Sequence, residues 1–362
     1  MTAGVLHILE SMACGGMETT FLNFLRSFQS LEDKHALSHD VLSLAPGPLE
    51  PEFRMVAKDL FVEPAPAAID GLLSRGYDVV HILFERCADR LGPILLGRFD
   101  GAVVYSKGYD LAATYRMEGG FDWTAEDSLL AACDYATFTT ERLARQYDLP
   151  QGRVTVLEKA CDYDKFSRVP SPAADTPLRI LAVANLHPRK RIGDIAGALA
   201  HVRKRLPEAH ARVVGAGSAI DVERVMREVE IAGAADAFQM AGSSRDVDEE
   251  LALARVVVLP SEWEGVPTSL LEAMAAGRPV VATRVGHVES IVTHGKEGFL
   301  FDVGDTSSLA EYLVRLLSDP ALCQRMGAEG KKRAAGHDVR VIAKRLHSVL
   351  SSAAASNIRR MP

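Results

Sequence analysis

Two glutamates, Glu264 and Glu272, are separated by seven residues in a stretch that predicts a strand, a tight turn and a helix. The apolar run Val256–Leu259 is typical of a buried parallel strand, and the turn at 265–267 ends in a proline that suits a helix start. The first N–H groups of that helix, around 268–270, lack intrahelical partners and attract a diphosphate. Carboxylates accept hydrogen bonds from hydroxyl pairs. This spacing therefore predicts a site for a molecule with hydroxyls at both ends and phosphate in the middle, which describes a nucleotide sugar.

The elements that must position these residues follow a strand–helix alternation that occurs twice along the chain. In the first half, strands are predicted at 5–9, 38–44, 78–83, 102–106, 135–139 and 153–157. In the second half, they are predicted at 179–184, 211–215, 238–241, 256–260, 279–283 and 298–301. Such alternation indicates an α/β fold with two parallel sheets, each covered by helices on both faces. Ligands of such sheets bind beyond the carboxyl ends of the strands, where the motifs of this chain fall.

Length and composition agree with two globular domains. The chain has 362 residues, 48% of them hydrophobic and 25% charged, which is typical of a soluble protein large enough to split into two cores. The five cysteines, at positions 14, 87, 133, 161 and 323, are scattered without metal-ligand spacing, so we expect free thiols in a reducing compartment. The amino terminus does not resemble a secretory signal, and no window predicts a membrane span. A cytoplasmic protein without an integral membrane segment is expected.

Charge is divided unevenly between the two halves. Residues 1–165 contain 15 Lys+Arg against 25 Asp+Glu, a charge of −10, whereas the whole chain carries −7. An acidic first half argues against binding to nucleic acid and to anionic lipid. It favours a soluble partner, and a cationic one fits it best.

The residues around the two glutamates resemble a known family. The pattern Glu264-Gly265-x-Pro267, Leu271-Glu272-Ala273 and Ala276-Gly277-x-Pro279 is similar to the signature of the retaining glycosyltransferases of family four. The resemblance implies the GT-B fold, in which two Rossmann-like, doubly wound parallel-sheet domains face each other across a cleft. It implies an acceptor domain at 1–166, a donor domain at 178–336 and a carboxyl-terminal helix at 337–362 that returns to the first domain. The segment 167–177 between these domains is rich in proline and small residues, which predicts a linker.

The same resemblance implies the roles of individual residues. Glu264 would bind the hydroxyls of the donor sugar, Glu272 the ribose hydroxyls, and Lys190 the phosphates; the catalytic candidates are Glu264, Lys190 and Lys107. The residues expected to bind the donor are Gly15, Gly16, Asn185, Arg189, Lys190, Gly215, Met240, Ala241, Glu264, Gly265, Val266, Pro267, Thr268, Ser269, Leu270, Leu271 and Glu272.

Three positions depart from the family pattern. Asn185 stands where the family has an arginine for the phosphates, and Lys107 stands where family members commonly have a histidine. Lysine keeps a positive charge but does not titrate near neutrality as histidine does. In the segment 285–292, Glu289 takes the proline place of a Gly-Gly-x-Pro-Glu pattern, so that an acidic role there would be shifted by one residue.

The predicted function is transfer of a sugar from a nucleotide diphosphate sugar to a hydroxyl of a small-molecule acceptor, with retention of configuration. A UDP-sugar is the first expectation and a GDP-sugar the second. No metal or other cofactor is expected, and the acidic half suggests a cationic acceptor such as an amino sugar or aminocyclitol. Two alternatives stay open: a nucleotide-sugar epimerase of the same fold, and a non-catalytic relative that only binds a nucleotide sugar. Sequence does not determine the base, the sugar or the oligomeric state.

Overall fold

A computed structural model describes residues 2–13, 15–31, 36–83, 85–108, 123–172 and 176–358. The chain divides into two compact units: unit 1 comprises Met1–Ala160 and Val339–Pro362, and unit 2 comprises Cys161–Asp338. Among the described residues, each unit contains one parallel sheet, with seven strands in unit 1 and six in unit 2. The two doubly wound parallel sheets expected from the sequence are therefore present.

Unit 1 contains the sheet order β3-β2-β1-β4-β5-β6-β7, in which every neighbouring pair is parallel. Its strands are β1 Ala3–Leu9, β2 Leu37–Ser43, β3 Leu60–Val62, β4 Val79–Ile82, β5 Ala102–Lys107, β6 Tyr135–Phe138 and β7 Val154–Val156. The helices that precede residue 160 are α1 Gly16–Phe28, α2 Glu50–Val56, α3 Pro66–Leu73, α4 Glu85–Arg98, α5 Trp123–Ala132 and α6 Glu141–Ala144. Short turns with local caps begin some of these helices; the Thr140 hydroxyl, for example, accepts from the Leu143 N–H.

Unit 2 contains the sheet order β10-β9-β8-β11-β12-β13, again entirely parallel. Its strands are β8 Arg179–Val183, β9 His210–Val214, β10 Phe238–Met240, β11 Val256–Leu259, β12 Val280–Thr283 and β13 Gly298–Phe301. Its helices are α7 Tyr163–Ser167, α8 Ile192–Val202, α9 Ala219–Ile231, α10 Val247–Ala252, α11 Thr268–Ala275, α12 Thr306–Ser318 and α13 Pro320–Ala335. Strand order reverses between β8 and β11, so that the loops that follow these two strands lie side by side.

The last helix, α14 Val339–Ile358, belongs to unit 1 although it follows unit 2 in the chain. It packs against α1, β4 and β5, and its apolar side, which includes Ile342, Leu346 and Leu350, is buried in the core of unit 1. An amphipathic helix needs such a surface to bury its apolar side. The described part of this helix therefore lies in unit 1.

The described part of the segment 167–177, which was predicted as a linker, lies within unit 2. The boundary between the units lies at Ala160, and residues 161–172 are part of unit 2. The fully buried Arg278 donates to the Pro170 carbonyl, and Lys331 Nζ donates to the Ser167 carbonyl at 2.5 Å. Because these cations bind its backbone, this proline-rich segment is held against unit 2. Arg278 and Lys331 are far from this segment in sequence. Local composition could not reveal these contacts and therefore suggested a linker between the domains.

Cys87, Cys133 and Cys161 are buried free thiols and Cys323 is partly buried, while Cys14 lies outside the described residues. Within the described parts of the chain, no helix is long and apolar enough to cross a membrane.

Candidate functional site

The site of unit 2 forms where the strand order reverses. The loop after β8, residues 184–191, and the loop after β11, residues 260–267, leave the sheet at its carboxyl edge from neighbouring strands. The two loops are bonded to each other, since the Glu262 N–H donates to the Arg189 carbonyl at 2.7 Å. The sequence-predicted residues of both loops are thus brought together in one place.

Lys190 and Glu264 are in direct contact. Lys190 Nζ donates to Glu264 Oε1 at 2.5 Å, and the buried Ser261 hydroxyl donates to the same oxygen at 2.6 Å. Only 9% of the Glu264 side chain and 18% of the Lys190 side chain are exposed, so the ion pair is largely removed from solvent. Ser261 is itself fixed through its carbonyl, which accepts from Thr283 Oγ1 at 2.5 Å. The carboxylate therefore has a defined orientation, and the ammonium has donors beyond the one that Glu264 occupies.

Gly286 packs against the backbone of the loop that contains Glu264. The sequence analysis did not single out this residue. Its φ is +54°, a backbone conformation that residues with a side chain rarely adopt. A Cβ at this position would lie 1.6 Å from the Glu264 carbonyl oxygen, so only glycine permits this approach. The glycine was visible in the sequence, but its contact with residue 264 depends on the pairing of β11 with β12.

Arg191 has a local structural role. It adopts a left-handed conformation, with φ +48°, at the start of α8, and its guanidinium binds Asp194 through two hydrogen bonds of 2.8 and 3.0 Å. These hydrogen bonds raise the pKa of Arg191. Arg189 and Lys190 lie on the short 3₁₀ turn Pro188–Lys190 just before it, and the Arg189 side chain is half-buried. The turn thus directs Lys190 towards Glu264 while Arg191 fixes the start of the next helix.

The helix α11 begins immediately after this ion pair. Pro267 precedes its first residue, and Thr268 and Ser269, both half-buried, provide first-turn N–H groups without intrahelical acceptors. Gly265, Val266 and Pro267 are buried in the entry turn, while Leu270 and Leu271 point into the core. The latter two residues can contribute only backbone groups to a ligand.

Glu272 lies in the second turn of α11 and is half-buried. The pKa of the Cys161 thiol is raised, chiefly by burial and secondly by the negative charge of the Glu272 carboxylate. The Glu272 carboxylate therefore lies close to Cys161. The side chain is fixed to the same helix as the N–H groups of the first turn. A ligand that binds those N–H groups is thus within reach of an acceptor-only carboxylate.

The remaining predicted residues of unit 2 line the same edge of the sheet. Gly215 follows β9, and a Cβ there would lie 1.9 Å from the Ala184 carbonyl oxygen, so glycine permits the close packing of the loops after β8 and β9. Asn185 is exposed in the first of these loops. Met240 ends β10 and Ala241 follows it, with the Ala241 N–H bonded to the Val213 carbonyl. Their placement is compatible with backbone contacts to a base, which stays a prediction.

In unit 1, the glycine loop leads into α1. Gly15 is the residue before the helix and Gly16 its first residue, and a Cβ on Gly15 would lie 2.3 Å from Glu18 Oε2. Burial raises the pKa of Glu18. This carboxylate therefore fills the space that a side chain at position 15 would take.

Lys107, which the sequence analysis proposed as a catalytic candidate, is buried in an ion pair within unit 1. Its ammonium forms a buried ion pair with Glu126 of α5, and the Tyr105 hydroxyl donates to the same carboxylate oxygen at 2.5 Å. The ring of Tyr147 lies 5.6 Å from the Lys107 Nζ. The lysine charge is thus compensated inside unit 1, and a catalytic role for Lys107 stays a prediction. Glu289 likewise pairs with Arg284 at 2.6 Å, and half of its side chain is exposed.

A family model fits the part of the chain that holds the donor-site residues. Residues 164–333 match the model described as glycosyl transferases group 1. This segment of the chain is similar to that family. The match covers nearly all of unit 2, including Lys190, Glu264 and Glu272, and does not extend over unit 1.

Individual relatives also match part of the chain. N-acetyl-alpha-D-glucosaminyl L-malate synthase from Bacillus anthracis is 31% identical over 153 residues, which are 42% of this chain and 39% of the relative. The putative glycosyltransferase EpsD of Bacillus subtilis is 34% identical over 152 residues, with the same coverage of 42% and 39%. The match therefore spans less than half of the length of these relatives.

Solved structures show that the chain has the GT-B fold. Anabaena HepE in complex with UDP and glucose has a TM-score of 0.82 at 18% identity, and the match covers 97% of this chain and all of that one. Sucrose-phosphate synthase from Thermosynechococcus elongatus has a TM-score of 0.81 at 18% identity, with 98% of this chain and all of that one covered. At this identity, the likeness establishes the fold.

Proposed function

We propose that the chain transfers a sugar from a nucleotide diphosphate sugar to a hydroxyl group. The observation that carries this proposal is the largely buried Lys190–Glu264 ion pair beside the amino terminus of α11, at the point where strand order reverses. An ammonium, a row of helix N–H groups and two carboxylates on one short stretch are complementary to a diphosphate between two hydroxyl-bearing rings.

The names of similar proteins support a nucleotide-sugar donor. One relative from Mycobacterium tuberculosis, 28% identical over 216 residues, is called a GDP-mannose-dependent mannosyltransferase. The HepE structures include one with UDP-glucose. For this chain, a UDP-sugar remains the first candidate and a GDP-sugar the second, since the expected contacts of Met240 and Ala241 with the base use backbone groups.

The proposed mechanism assigns charge stabilisation to Lys190 and the α11 N–H groups. As the glycosidic bond to the diphosphate breaks, negative charge develops on the departing oxygen, and hydrogen bonds from these donors stabilise it. Glu264 binds sugar hydroxyls, and Glu272 binds the ribose. Retention follows if the acceptor hydroxyl attacks from the face of the leaving group and gives its proton to the departing oxygen.

Independence from a metal is part of this proposal, because Lys190 and the helix N–H groups supply the positive charge that a bound cation supplies elsewhere. Among the described residues, no group of three or more His, Cys, Asp and Glu side chains is arranged to hold a metal ion. A small acceptor is proposed, and the charge of −10 on residues 1–165 favours one with a cationic group.

The test is product formation in EDTA from UDP- and GDP-hexoses, with and without a panel of hydroxylated amines, followed by mass spectrometry. The proposal expects a new glycoside that depends on the acceptor and forms without added metal. A donor sugar that changes configuration without any acceptor would identify an epimerase instead. Nucleotide binding without any product would indicate a binding protein.

A further inference from the structure

One oxygen of the Glu264 carboxylate accepts from two donors that differ in their freedom to move. Lys190 Nζ and the Ser261 hydroxyl both donate to Oε1, at 2.5 and 2.6 Å. Among the described residues, none donates to the second oxygen, Oε2. The protein thus occupies one carboxylate oxygen twice, and a ligand hydroxyl can donate to the other.

The Ser261 donor is fixed by the sheet of unit 2. Ser261 lies two residues after β11 and is fully buried. Its carbonyl accepts from the hydroxyl of Thr283, which is the last residue of β12 and is fully buried as well. A serine hydroxyl has one hydrogen, and here Glu264 Oε1 accepts it. The ends of two neighbouring strands therefore keep this donor in one place.

The Lys190 donor has more freedom. It lies on a 3₁₀ turn of three residues, and 18% of its side chain is exposed. A lysine ammonium is the end of a flexible four-carbon chain, and it has three hydrogens, of which Glu264 accepts one. The ammonium can therefore turn towards another acceptor without any change in the backbone.

A bound diphosphate would compete for this ammonium. In the proposed function Lys190 binds the phosphates, whose negative charge attracts it away from Glu264. The Glu264 carboxylate is largely buried, and a buried carboxylate that loses its donors is costly. The enclosed Ser261 hydroxyl is the donor that remains on Oε1, so that it keeps Glu264 oriented while Oε2 accepts from the sugar.

We propose that Ser261 is a positioning residue for the donor sugar, because it holds Glu264 in place when Lys190 turns to the diphosphate. This inference rests on the proposed function and divides its donor site into two parts. Lys190 determines the affinity for the nucleoside diphosphate, and Ser261, acting through Glu264, determines the affinity that the sugar adds.

Calorimetric titration of the full chain with UDP and UDP-glucose, and with GDP and GDP-mannose, measures the two parts separately. The Kd of the nucleoside diphosphate divided by the Kd of the nucleotide sugar, here called the sugar ratio, gives the affinity that the sugar adds. In Ser261→Ala the sugar ratio is expected to fall about five- to tenfold, as loss of one hydrogen bond does, while the Kd of the nucleoside diphosphate stays within about twofold.

Lys190→Ala is expected to give the reverse result. The nucleoside diphosphate should bind at least about tenfold more weakly, because a charge-assisted hydrogen bond is lost. The sugar ratio should be retained, since Ser261 still donates to Glu264 Oε1.

A double-mutant cycle separates positioning from a merely structural effect. In Glu264→Ala the carboxylate on which Ser261 acts is absent, so the further change Ser261→Ala is expected to alter the sugar ratio by less than about twofold. Ser261→Cys keeps the shape of the side chain with a weaker donor, and its sugar ratio should lie between those of serine and alanine. The cysteine variant carries the same comparison if the alanine variant does not fold.

The matched control is Ser43→Ala in unit 1. Ser43 is also fully buried, and its hydroxyl donates to the Ala45 carbonyl at 2.6 Å, the same length as the Ser261–Glu264 bond. This variant loses a comparable hydrogen bond, and both of its affinities are expected to match those of the unaltered chain. Thermal unfolding verifies that the variants fold.

Three results would overturn the role of Ser261 and leave the donor site standing. They are an unchanged sugar ratio in Ser261→Ala, an equal loss when Ser261→Ala is added to Glu264→Ala, and a sugar ratio that falls in Lys190→Ala as it does in Ser261→Ala. Absence of binding of all four ligands by the unaltered chain would instead overturn the proposed function, and this inference with it.

Discussion

At the scale of single residues, the donor site depends on an ion pair whose members have different tasks. Lys190 and Glu264 bind each other, but Lys190 is proposed to bind phosphate and Glu264 the sugar. The sequence indicated both residues from family spacing. It did not indicate their contact, because Lys190 and Glu264 are 74 positions apart and meet only through the pairing of β8 with β11.

Glu264→Gln separates these tasks. The variant keeps the shape of the side chain and loses the charge, so Lys190 becomes more available to phosphate. We expect turnover to fall about 10- to 100-fold, as loss of a charge-assisted hydrogen bond predicts, while the Kd for the nucleoside diphosphate does not rise. Steady-state kinetics and calorimetry measure the two quantities. Glu262→Gln, an exposed neighbour, is the control, and turnover within twofold of the unaltered chain in Glu264→Gln would remove Glu264 from the mechanism.

Gly286→Ala tests the support beneath Glu264. Both Gly286 and Gly295 have positive φ, but a Cβ at Gly286 would overlap the Glu264 backbone, whereas no described atom lies within 4 Å of one at Gly295. Gly295→Ala therefore measures the backbone strain alone, about 1–3 kcal/mol. We expect Gly286→Ala to lose more unfolding free energy in urea than Gly295→Ala and to lose donor affinity as well. Equal losses in the two variants would show that the loop tolerates the overlap.

At the scale of elements, strands and helices with clear periodicity were predictable to within a few residues. The strand β3 was missed because Leu60–Val62 has three residues, too few for any alternation to show. The family resemblance implied a carboxyl-terminal helix, but the surface that α14 contacts depends on residues of unit 1 that are distant in sequence. The hydrogen bonds that connect side chains of β2, β1, β4, β5 and β6 in unit 1 were not predictable from the sequence, because each side chain belongs to a different strand. These side chains are His39, His7, His81, Ser106 and Thr137.

Helix α14 is expected to be integral to the stability of unit 1. Leu350 is fully buried, so Leu350→Ala should cost about 2–5 kcal/mol of unfolding free energy, the usual range for replacing a buried leucine by alanine. Val341 on the same helix is 53% exposed, and Val341→Ala should change stability by less than about 0.5 kcal/mol. Urea unfolding monitored by circular dichroism compares the two. A small loss in Leu350→Ala would mean that the helix is peripheral to the core.

At the scale of the whole molecule, the buried histidines make stability depend on pH. In the folded chain the pKa values of His39 and His81 are about 4 and about 3, below the value near 6.5 of an unfolded histidine. The unfolded chain then binds more protons at mildly acidic pH. Stability is therefore complete above about pH 6.5 and falls as the pH decreases from there towards 4, with a slope of up to about 1.4 kcal/mol per pH unit for each ring.

Urea unfolding between pH 7.5 and pH 5 measures this dependence. His81→Gln, which keeps a hydrogen-bonding group and cannot titrate, is expected to reduce the slope, whereas replacement of the exposed His201 by glutamine is expected to leave it unchanged. Stability that stays constant or increases down to pH 5 would show that the rings are protonated in the folded chain.

The donor site in unit 2 is the central claim, and Glu272 tests it most directly. Calorimetric titration with UDP, GDP, ADP, CDP and dTDP in EDTA should show binding of one nucleotide to the unaltered chain and to the control Glu262→Ala. Glu272→Ala should bind that nucleotide about 10- to 100-fold more weakly, because the carboxylate proposed for the ribose hydroxyls is gone. Equal affinity in Glu272→Ala, or no binding of any nucleoside diphosphate by the unaltered chain, would contradict the account.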